Sequence, residues 1–259
     1  MARTAWVTAM AKGDDPNDPS DRYNAEHSVL KPKDAATLVI IDRTGSEPRV
    51  LMGRRRADLA FMAGKYVFPG GRVDPTDKTV ASSDELRAGE QAKLLVAMRG
   101  TPSAARARGL ALAAVREAFE EAGIIIGRST GDPADRAPVA WQPFLTRGFV
   151  PSLAGLTFFA RAITPPGRPR RFDTRFFCID ARGIGERLAH NDGELSGLDW
   201  LTLEDARNLD IPRITRLVLE DLGEQIASGT LDAGTNPVPF YYQRGGSFRR
   251  DLITLPASS

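Results

Sequence analysis

Three glutamates near the middle of the chain have a spacing that could bind a metal ion. The segment VREAFEEAG (115–123) contains Glu117, Glu120 and Glu121, at positions i, i+3 and i+4. At about 100° per residue, the three carboxylates share one face of a predicted helix. Like charges at this spacing repel each other, so the cluster needs either open solvent or a cation. A hard divalent cation such as Mg²⁺ would convert the repulsion into binding, and a solvated helix face with Arg116 as counter-charge is the alternative.

Composition and charge exclude several classes of protein. The chain has 259 residues, of which 42% are hydrophobic and 26% charged, as in an average globular protein. The formal net charge of +2 gives no global field for nucleic acid or an anionic membrane. The longest apolar run, 110–115, is much shorter than the roughly 18 residues of a membrane span. We find no secretory signal, and Cys178 is the single cysteine, so we expect a cytoplasmic protein without disulfides.

The elements that must position the glutamates alternate between strands and helices. Residues 1–32 are predicted to be a flexible N-terminal segment, followed by a single domain over 33–259. The predicted strands are 36–42, 49–53, 66–68, 124–126, 156–163 and 171–180. The predicted helices are 83–99, 103–122 with Gly123 after its end, 203–209 and 214–227, and 240–255 is predicted to be a terminal hairpin. This alternation indicates a mixed α/β sandwich.

Two adjacent glycines follow the third predicted strand. Gly70 and Gly71 let the backbone turn sharply away from that strand without obstruction by a Cβ atom. Asp77 follows six residues after the second glycine. A turn of this kind, joined to the glutamate helix, is suited to hold carboxylates rigidly around a cation.

Together these residues resemble the box of the Nudix hydrolases, which reads G-x5-E-x7-R-E-U-x-E-E-x-G-U, where U is a bulky apolar residue. Residues 116–124 (REAFEEAGI) match the second half, except that Ala118 is a small residue at a U position. In the first half, Gly71 is the leading glycine and Asp77 stands where the family has Glu. Asp77 and Arg116 are 39 positions apart, which is 31 more than in the motif. We therefore expect a helical insertion, at about 78–110, inside the box.

A subgroup resembling the peroxisomal acyl-coenzyme A diphosphatase carries an interrupted box of this kind. The resemblance implies a Nudix α/β/α sandwich with a mixed β-sheet. Relatives that cleave coenzyme A have the signature L-L-T-x-R-[ST]-x3-R-x3-G-x3-F-P-G-G before the box. This chain matches it at Leu51, Arg55, Gly64 and Phe68, and departs from it at Gly53, Arg56 and Ala60.

The resemblance also implies roles for the box residues. Glu117 and Glu121 would be the primary ligands of Mg²⁺ or Mn²⁺, Glu120 a ligand or the base, and Arg116 the group that orients a carboxylate. Asp77 would partner the arginine or a further ion. The implied reaction is hydrolysis of a diphosphate linkage. The base differs among relatives, so Glu120, Glu121 and a later carboxylate, for which Glu194 is the candidate, remain alternatives.

Arginines near the box are candidates to bind the phosphates of a substrate. Arg54 and Arg55 follow a predicted strand, close to Gly70 and Gly71. In RRFDTRFF (170–177), alternation sends Arg171 and Arg175 to one predicted charged face of a strand. A solvated surface position is the alternative for each arginine taken alone.

The implied substrate is a small nucleoside diphosphate derivative, with coenzyme A or acyl-coenzyme A ahead of ADP-ribose, NADH and nucleotide sugars. Nucleic acid and membrane are not expected partners, and a homodimer is expected because relatives often dimerise. A nucleotide-sensing Nudix module without catalysis is one rival. An isomerase is another, but it would need a cysteine in the pocket, and Cys178 lies in an apolar run.

Overall fold

The structure, a computed structural model, describes residues 30–56, 64–96, 98–134, 136–188 and 195–255. Its strands are β1 (Lys33–Asp42), β2 (Arg49–Arg55), β3 (Tyr66–Val67), β4 (Gly70–Arg72), β5 (Ile124–Ile125), β6 (Gly127–Ser129), β7 (Phe149–Pro151), β8 (Thr157–Ile163), β9 (Phe172–Asp180), β10 (Glu186–Arg187), β11 (Leu195–Thr202), β12 (Val238–Arg244) and β13 (Ser247–Ile253). Its helices are α1 (Ala88–Leu95), α2 (Ala104–Ala122), α3 (Gln142–Leu145), α4 (Leu203–Asn208) and α5 (Arg213–Ala227). Within these described ranges, no helix has the length and apolar character needed to cross a membrane.

The main sheet is mixed and has the order β11-β2-β1-β9-β8-β12-β13. The pairs β1·β9 and β8·β12 are parallel, and the other neighbours along this path are antiparallel. β3 pairs with β2, and β4 pairs with β1. In the second of these pairs, Gly70 lies opposite Thr37 and Gly71 opposite Ala36, so the glycine turn is part of the sheet.

Both faces of β1 are buried, which explains why its sequence is a continuous apolar run. Leu38 and Ile40 belong to a core that also contains the apolar face of α2. Val39 and Ile41 belong to a second core, which contains the apolar face of α5. The helices therefore cover opposite faces of the mixed sheet, and the predicted α/β class is confirmed.

Several predicted elements agree with the structure. α2 begins after the N-cap Ser103, whose hydroxyl accepts a hydrogen bond from the Arg106 amide at 3.3 Å. It ends at Gly123, whose φ of 65° is left-handed and suits glycine. The predicted strands 36–42 and 49–53 form the hairpin β1–β2, and the C-terminal segment forms the hairpin β12–β13.

The predicted helix 83–99 is wrong at its N-terminal side, because only Ala88–Leu95 is helical. The Asp84 carboxylate accepts hydrogen bonds from the amides of Leu153 and Ala154, at 2.6 and 2.8 Å. These bonds hold the segment before α1 as a loop against the β7–β8 connection. The insertion is therefore only partly helical. α1 packs on β8, where the buried Lys93 donates to the Phe158 carbonyl oxygen at 3.2 Å.

β11 and β4 were not predicted. In β11, the pairing register with β2 shifts between residues 196 and 198, and Gly197 has a left-handed φ of 65°. This bulge interrupts the alternation by which a strand is recognised in sequence. β4 consists of the glycine turn itself followed by Arg72, so it has no apolar pattern.

Candidate active site

The three glutamates lie on the last two turns of α2, as their spacing predicts. Glu120 is 38% exposed, whereas Glu117 and Glu121 are largely buried. The buried pair faces the glycine turn, and Glu120 faces solvent. The helix therefore presents both a fixed and an accessible carboxylate at one place.

Arg116 uses all five of its N–H donors. Nε and Nη2 donate to the Asp77 carboxylate at 3.0 and 3.1 Å. Nη1 donates to Glu117 Oε1 at 2.8 Å and to Glu120 Oε2 at 2.9 Å. The second Nη2 proton goes to the Arg72 carbonyl oxygen at 2.9 Å. A guanidinium has five donors in a rigid fork, so its orientation fixes both glutamates.

Asp77 is completely buried and holds this arginine. It lies in the 3-10 turn Pro75–Lys78, where the Asp74 amide donates to Asp77 Oδ2 at 2.8 Å. The Trp141 indole N–H donates to Asp77 Oδ1 at 2.8 Å. The resemblance left two roles open for Asp77, and these contacts are with the arginine.

The glycine turn is in close contact with two of the glutamates. The Gly70 amide donates to Glu121 Oε2 at 2.9 Å. A Cβ atom on Gly71 would lie 2.5 Å from the Glu117 carboxylate. A Cβ atom on Gly70 would lie 2.5 Å from Thr37 Oγ1 and 2.7 Å from the Ala36 carbonyl oxygen. Neither position has room for a side chain, which accounts for both glycines.

The electrostatics of the cluster favour exchange of a proton for a cation. Burial, together with the neighbouring Glu120, raises the pKa of Glu117 to about 7 despite the Arg116 contact. Burial also raises the pKa of Glu120. Burial opposes the charge of Arg116, but its bonds to Asp77 and the nearby glutamates outweigh that effect and raise its pKa. Carboxylates that resist ionisation without a counter-ion are suited to bind one.

The donor set fits a hard divalent cation in type, since it consists of carboxylate oxygens. As they stand, the side chains do not converge: within the described ranges, no three His, Cys, Asp or Glu side chains form a metal-binding group. The reason is that Arg116 bridges Glu117 and Glu120, while Glu121 is turned toward Gly70. Glu120 is exposed enough to turn away from the arginine without disturbing the core.

The predicted phosphate-binding arginines fall into two groups. Arg55 lies beside the cluster, with Nη1 3.5 Å from Glu121 Oε1, and the exposed Arg54 donates to the Gly64 carbonyl oxygen at 2.9 Å. Arg171 is half-buried and donates to the carbonyl oxygens of Thr164 and Leu30. These contacts bring only Arg55 into direct contact with a box glutamate.

The expectation that Arg175 lies on an open charged face is wrong. Arg175 is 1% exposed and contacts Asp34 at 3.2 Å and Asp173 at 2.9 Å. Burial, opposed by these aspartates, lowers its pKa to about 10. The alternation placed these charges correctly on one face of β9, but α2 covers that face. Arg175 is thus part of a buried ion network.

Glu194 lies outside the described residues. The residue after it, Leu195, pairs with Arg55 in the β11–β2 ladder. Cys178 is buried in the core on the face of β9 opposite α2, and burial raises the pKa of its thiol. That position gives the isomerase alternative no cysteine beside the glutamates.

Trp141 is the residue of this site that sequence reasoning missed as such. It lies in the 3-10 turn Val139–Trp141, between β6 and β7, and is separated from Asp77 by 64 positions. The sequence around it, APVAWQPF, has no spacing relation to the box. Only the fold brings the two side chains together.

Comparison with known proteins agrees with this geometry. No family model matches the sequence. A Caenorhabditis elegans protein named "Putative nudix hydrolase 7" is 28% identical over 157 residues, which are 57% of this chain and 44% of that protein. The match therefore spans less than half the length of that relative. A solved Nudix hydrolase from Alicyclobacillus acidocaldarius is 29% identical, with a TM-score of 0.56 over 78% of this chain and 98% of that one.

The class that fold and site define is that of the Nudix hydrolases. The sequence relative and the solved structure both support membership of the chain in the Nudix hydrolase superfamily.

Proposed function

We propose that this chain is a divalent-metal-dependent hydrolase that cleaves the diphosphate linkage of a nucleoside diphosphate joined to another moiety. The observation that carries the proposal is the set of three carboxylates on the last turns of α2, next to the glycine turn and oriented by Arg116. The likeness to Nudix hydrolases in both sequence and fold supports it.

The side chains divide into distinct roles. Glu117, Glu120 and Glu121 would hold Mg²⁺ or Mn²⁺, which when bound supplies a Lewis acid for phosphate oxygens and lowers the pKa of water. Arg116 keeps Glu117 and Glu120 oriented through its two Nη1 bonds. Gly70 and Gly71 leave room for the carboxylates by having no side chain. The proton acceptor is one of Glu120, Glu121 and Glu194.

Phosphate recognition is proposed for the arginines that remain accessible. Arg55 is the first of these because it already contacts Glu121, and so lies where a phosphate near the cation would lie. Arg54 and Arg171 are proposed as further contacts. Arg175 is withdrawn from this set because its guanidinium is buried between Asp34 and Asp173.

The finer proposal for the substrate is coenzyme A or an acyl-coenzyme A. It is supported by the partial signature before the box, in which Arg55 is the matching residue that touches the glutamate cluster. Gly64, a second matching residue, has a left-handed φ of 74°, and its amide donates to the Arg55 carbonyl oxygen at 3.0 Å. ADP-ribose, NADH and nucleotide sugars are the competing substrates. A homodimer and a cytoplasmic location are retained as further proposals.

The test is hydrolysis of a panel of compounds with Mg²⁺ or Mn²⁺: coenzyme A, acetyl-coenzyme A, ADP-ribose, NADH, a nucleotide sugar and diadenosine polyphosphates. Wild type is compared with Glu121→Gln and with Glu204→Gln, a matched change at an exposed glutamate of α4. We expect one class of compound to be cleaved by wild type and Glu204→Gln, and not by Glu121→Gln. If nothing is cleaved while a nucleotide raises the melting temperature, the chain is instead a sensing module without catalysis.

A further inference from the structure

The buried carboxylate of Asp77 has a complete set of hydrogen bonds. Oδ1 accepts from Arg116 Nε at 3.0 Å and from Trp141 Nε1 at 2.8 Å. Oδ2 accepts from Arg116 Nη2 at 3.1 Å and from the Asp74 amide at 2.8 Å. A carboxylate offers about four lone-pair positions, so all of them are used. The indole N–H supplies one of the four donors, and it comes from a distant segment of the chain.

The chain of contacts continues from Asp77 to the glutamates. Asp77 takes two of the donors of Arg116, and the Nη1 donors of the same guanidinium go to Glu117 and Glu120. Because the guanidinium is planar and rigid, a rotation of the Asp77 carboxylate would turn the Nη1 donors as well. The indole of Trp141 therefore constrains two carboxylates that it does not touch.

Aromatic packing places this indole beside Asp77. Trp141 is completely buried and lies edge-on to Phe144, with ring centroids 5.4 Å apart. Phe144 in turn lies edge-on to Phe119 of α2, at 5.3 Å. The segment thus contacts α2 through apolar rings and contacts the box through a single polar atom. Phenylalanine at position 141 would keep the ring contacts and lose only the hydrogen bond.

We propose that Trp141 is a positioning residue of the active site, whose indole N–H fixes the Asp77 carboxylate and, through Arg116, orients Glu117 and Glu120. The inference rests on the proposed hydrolase function for its kinetic consequence, but not for its structural one. It also gives a reason why an aspartate serves at a box position where the family has the longer glutamate: a second donor holds the shorter side chain against the arginine.

The experiment compares Trp141→Phe with Trp200→Phe, a matched control in β11 whose indole is not part of this network. A hydrogen bond to a buried charged group contributes about 1.5–3 kcal/mol, so we expect Trp141→Phe to lower kcat about tenfold. KM should stay within about twofold of wild type, because a substrate does not touch the indole. In ¹⁵N-labelled protein, the Arg116 Nε–H resonance should shift or broaden in Trp141→Phe and not in Trp200→Phe.

A double-variant cycle separates positioning from a general loss of packing. When Asp77→Ala has already removed the acceptor, Trp141→Phe should cause no further loss of kcat. Equal losses in the Asp77→Ala background and in wild type would overturn the proposal. It would also be overturned if Trp141→Phe lowered the melting temperature but left kcat and the Arg116 resonance unchanged.

Two measurements do not depend on catalysis. In wild type, the Trp141 indole proton should exchange with solvent deuterium much more slowly than that of Trp200, and equal rates would overturn the proposal even if no variant folded. Mn²⁺ affinity, measured by electron paramagnetic resonance, should be weaker in Trp141→Phe than in Trp200→Phe. If wild type hydrolyses no compound, the proposed function fails, but the indole exchange rate and the Arg116 resonance still decide this inference.

Discussion

Two clusters of arginine and carboxylate lie against α2, and they differ in what their charges can reach. The first surrounds Arg116, near the C-terminal end of the helix, and includes Asp77 and the three glutamates. The second is the buried ion network near its N-terminal end, where Asp34 and Asp173 pair with three arginines, namely Arg106, Arg161 and Arg175. Carboxylates outnumber arginines in the first cluster, and arginines outnumber carboxylates in the second.

The difference in exposure follows the difference in charge. In the first cluster, Glu120 reaches solvent, so a cation can approach the excess of carboxylates. In the second, Arg161 is 1% exposed, is bonded to both oxygens of Asp173 at 2.8 Å, and stacks on the Phe240 ring at 4.3 Å. Arginines packed in this way stabilise the fold and are closed to a substrate. The comparison teaches that alternation and composition locate charges, while coverage by a helix decides whether they function.

The largest expected effect is the loss of metal binding in Glu117→Gln. Outer ligands alone are worth about 10–100-fold in metal affinity, so loss of a direct ligand should weaken Mn²⁺ binding by about a hundredfold or more. Hydrolysis should fall with it. Stability without metal at pH 8 should not fall, because burial raises the pKa of Glu117 to about 7 and its charge opposes folding above that pH. Thermal unfolding with a chelator, and Mn²⁺ titration, check the two halves of this prediction.

Asp173→Asn tests the second cluster. The substitution leaves Arg161 and Arg175 buried without a full counter-charge, so we expect a loss of about 3–5 kcal/mol in the free energy of unfolding. Activity per folded molecule should be unchanged. Denaturant titration combined with initial rates measures both quantities. A specific loss of activity without loss of stability would move the second cluster into the active site.

The two glycines of the turn should respond differently to a methyl group. In Gly70→Ala the Cβ atom meets backbone, 2.7 Å from the Ala36 carbonyl oxygen, so we expect a loss of stability of about 1–3 kcal/mol. In Gly71→Ala the Cβ atom meets the movable Glu117 carboxylate at 2.5 Å. That variant should stay stable but bind Mn²⁺ about tenfold more weakly, if displacement of one ligand costs roughly 1.4 kcal/mol. Equal effects of the two substitutions would contradict this assignment.

The smallest expected effect is that of Asp42→Asn, an exposed counterpart to Asp173→Asn. Hydrogen bonds from the Thr44 hydroxyl and amide, assisted by Arg49, lower the pKa of Asp42 to about 2. A carboxyl whose pKa is lowered on folding contributes stability above its ordinary pKa of 3.8, and that stability is lost as the pH falls through about 2. Asp42→Asn should therefore lower the melting temperature slightly at pH 6 and not at pH 2. A difference that persists at pH 2 would contradict the assigned cause.

Much of the first cluster could be predicted from sequence because its spacing is local. The i, i+3, i+4 pattern on a helix placed the glutamates on one face, and the pair of glycines predicted the turn beside them. The β1–β2 hairpin and the end of α2 at Gly123 could also be predicted, since turn and cap residues act on their immediate neighbours.

The remainder depends on contacts between distant segments. The burial of Arg175 results from the way α2 crosses β9, and the strand alternation is compatible with either an open or a covered face. The contact between Trp141 and Asp77 requires the β6–β7 connection to pack on the box, which no local pattern encodes. β11 escaped prediction because the bulge at Gly197 shifts its side chains out of register.

The central claim is that the carboxylates on the last turns of α2 hold the functional cation, whereas the buried ion network does not. The most direct test is Mn²⁺ binding followed by electron paramagnetic resonance in wild type, in the double variant Glu117→Gln/Glu121→Gln, and in Asp173→Asn under conditions where it is folded. We predict that wild type and Asp173→Asn bind Mn²⁺ with the same affinity and that the double variant does not bind it. Binding by the folded double variant at wild-type affinity would contradict the claim.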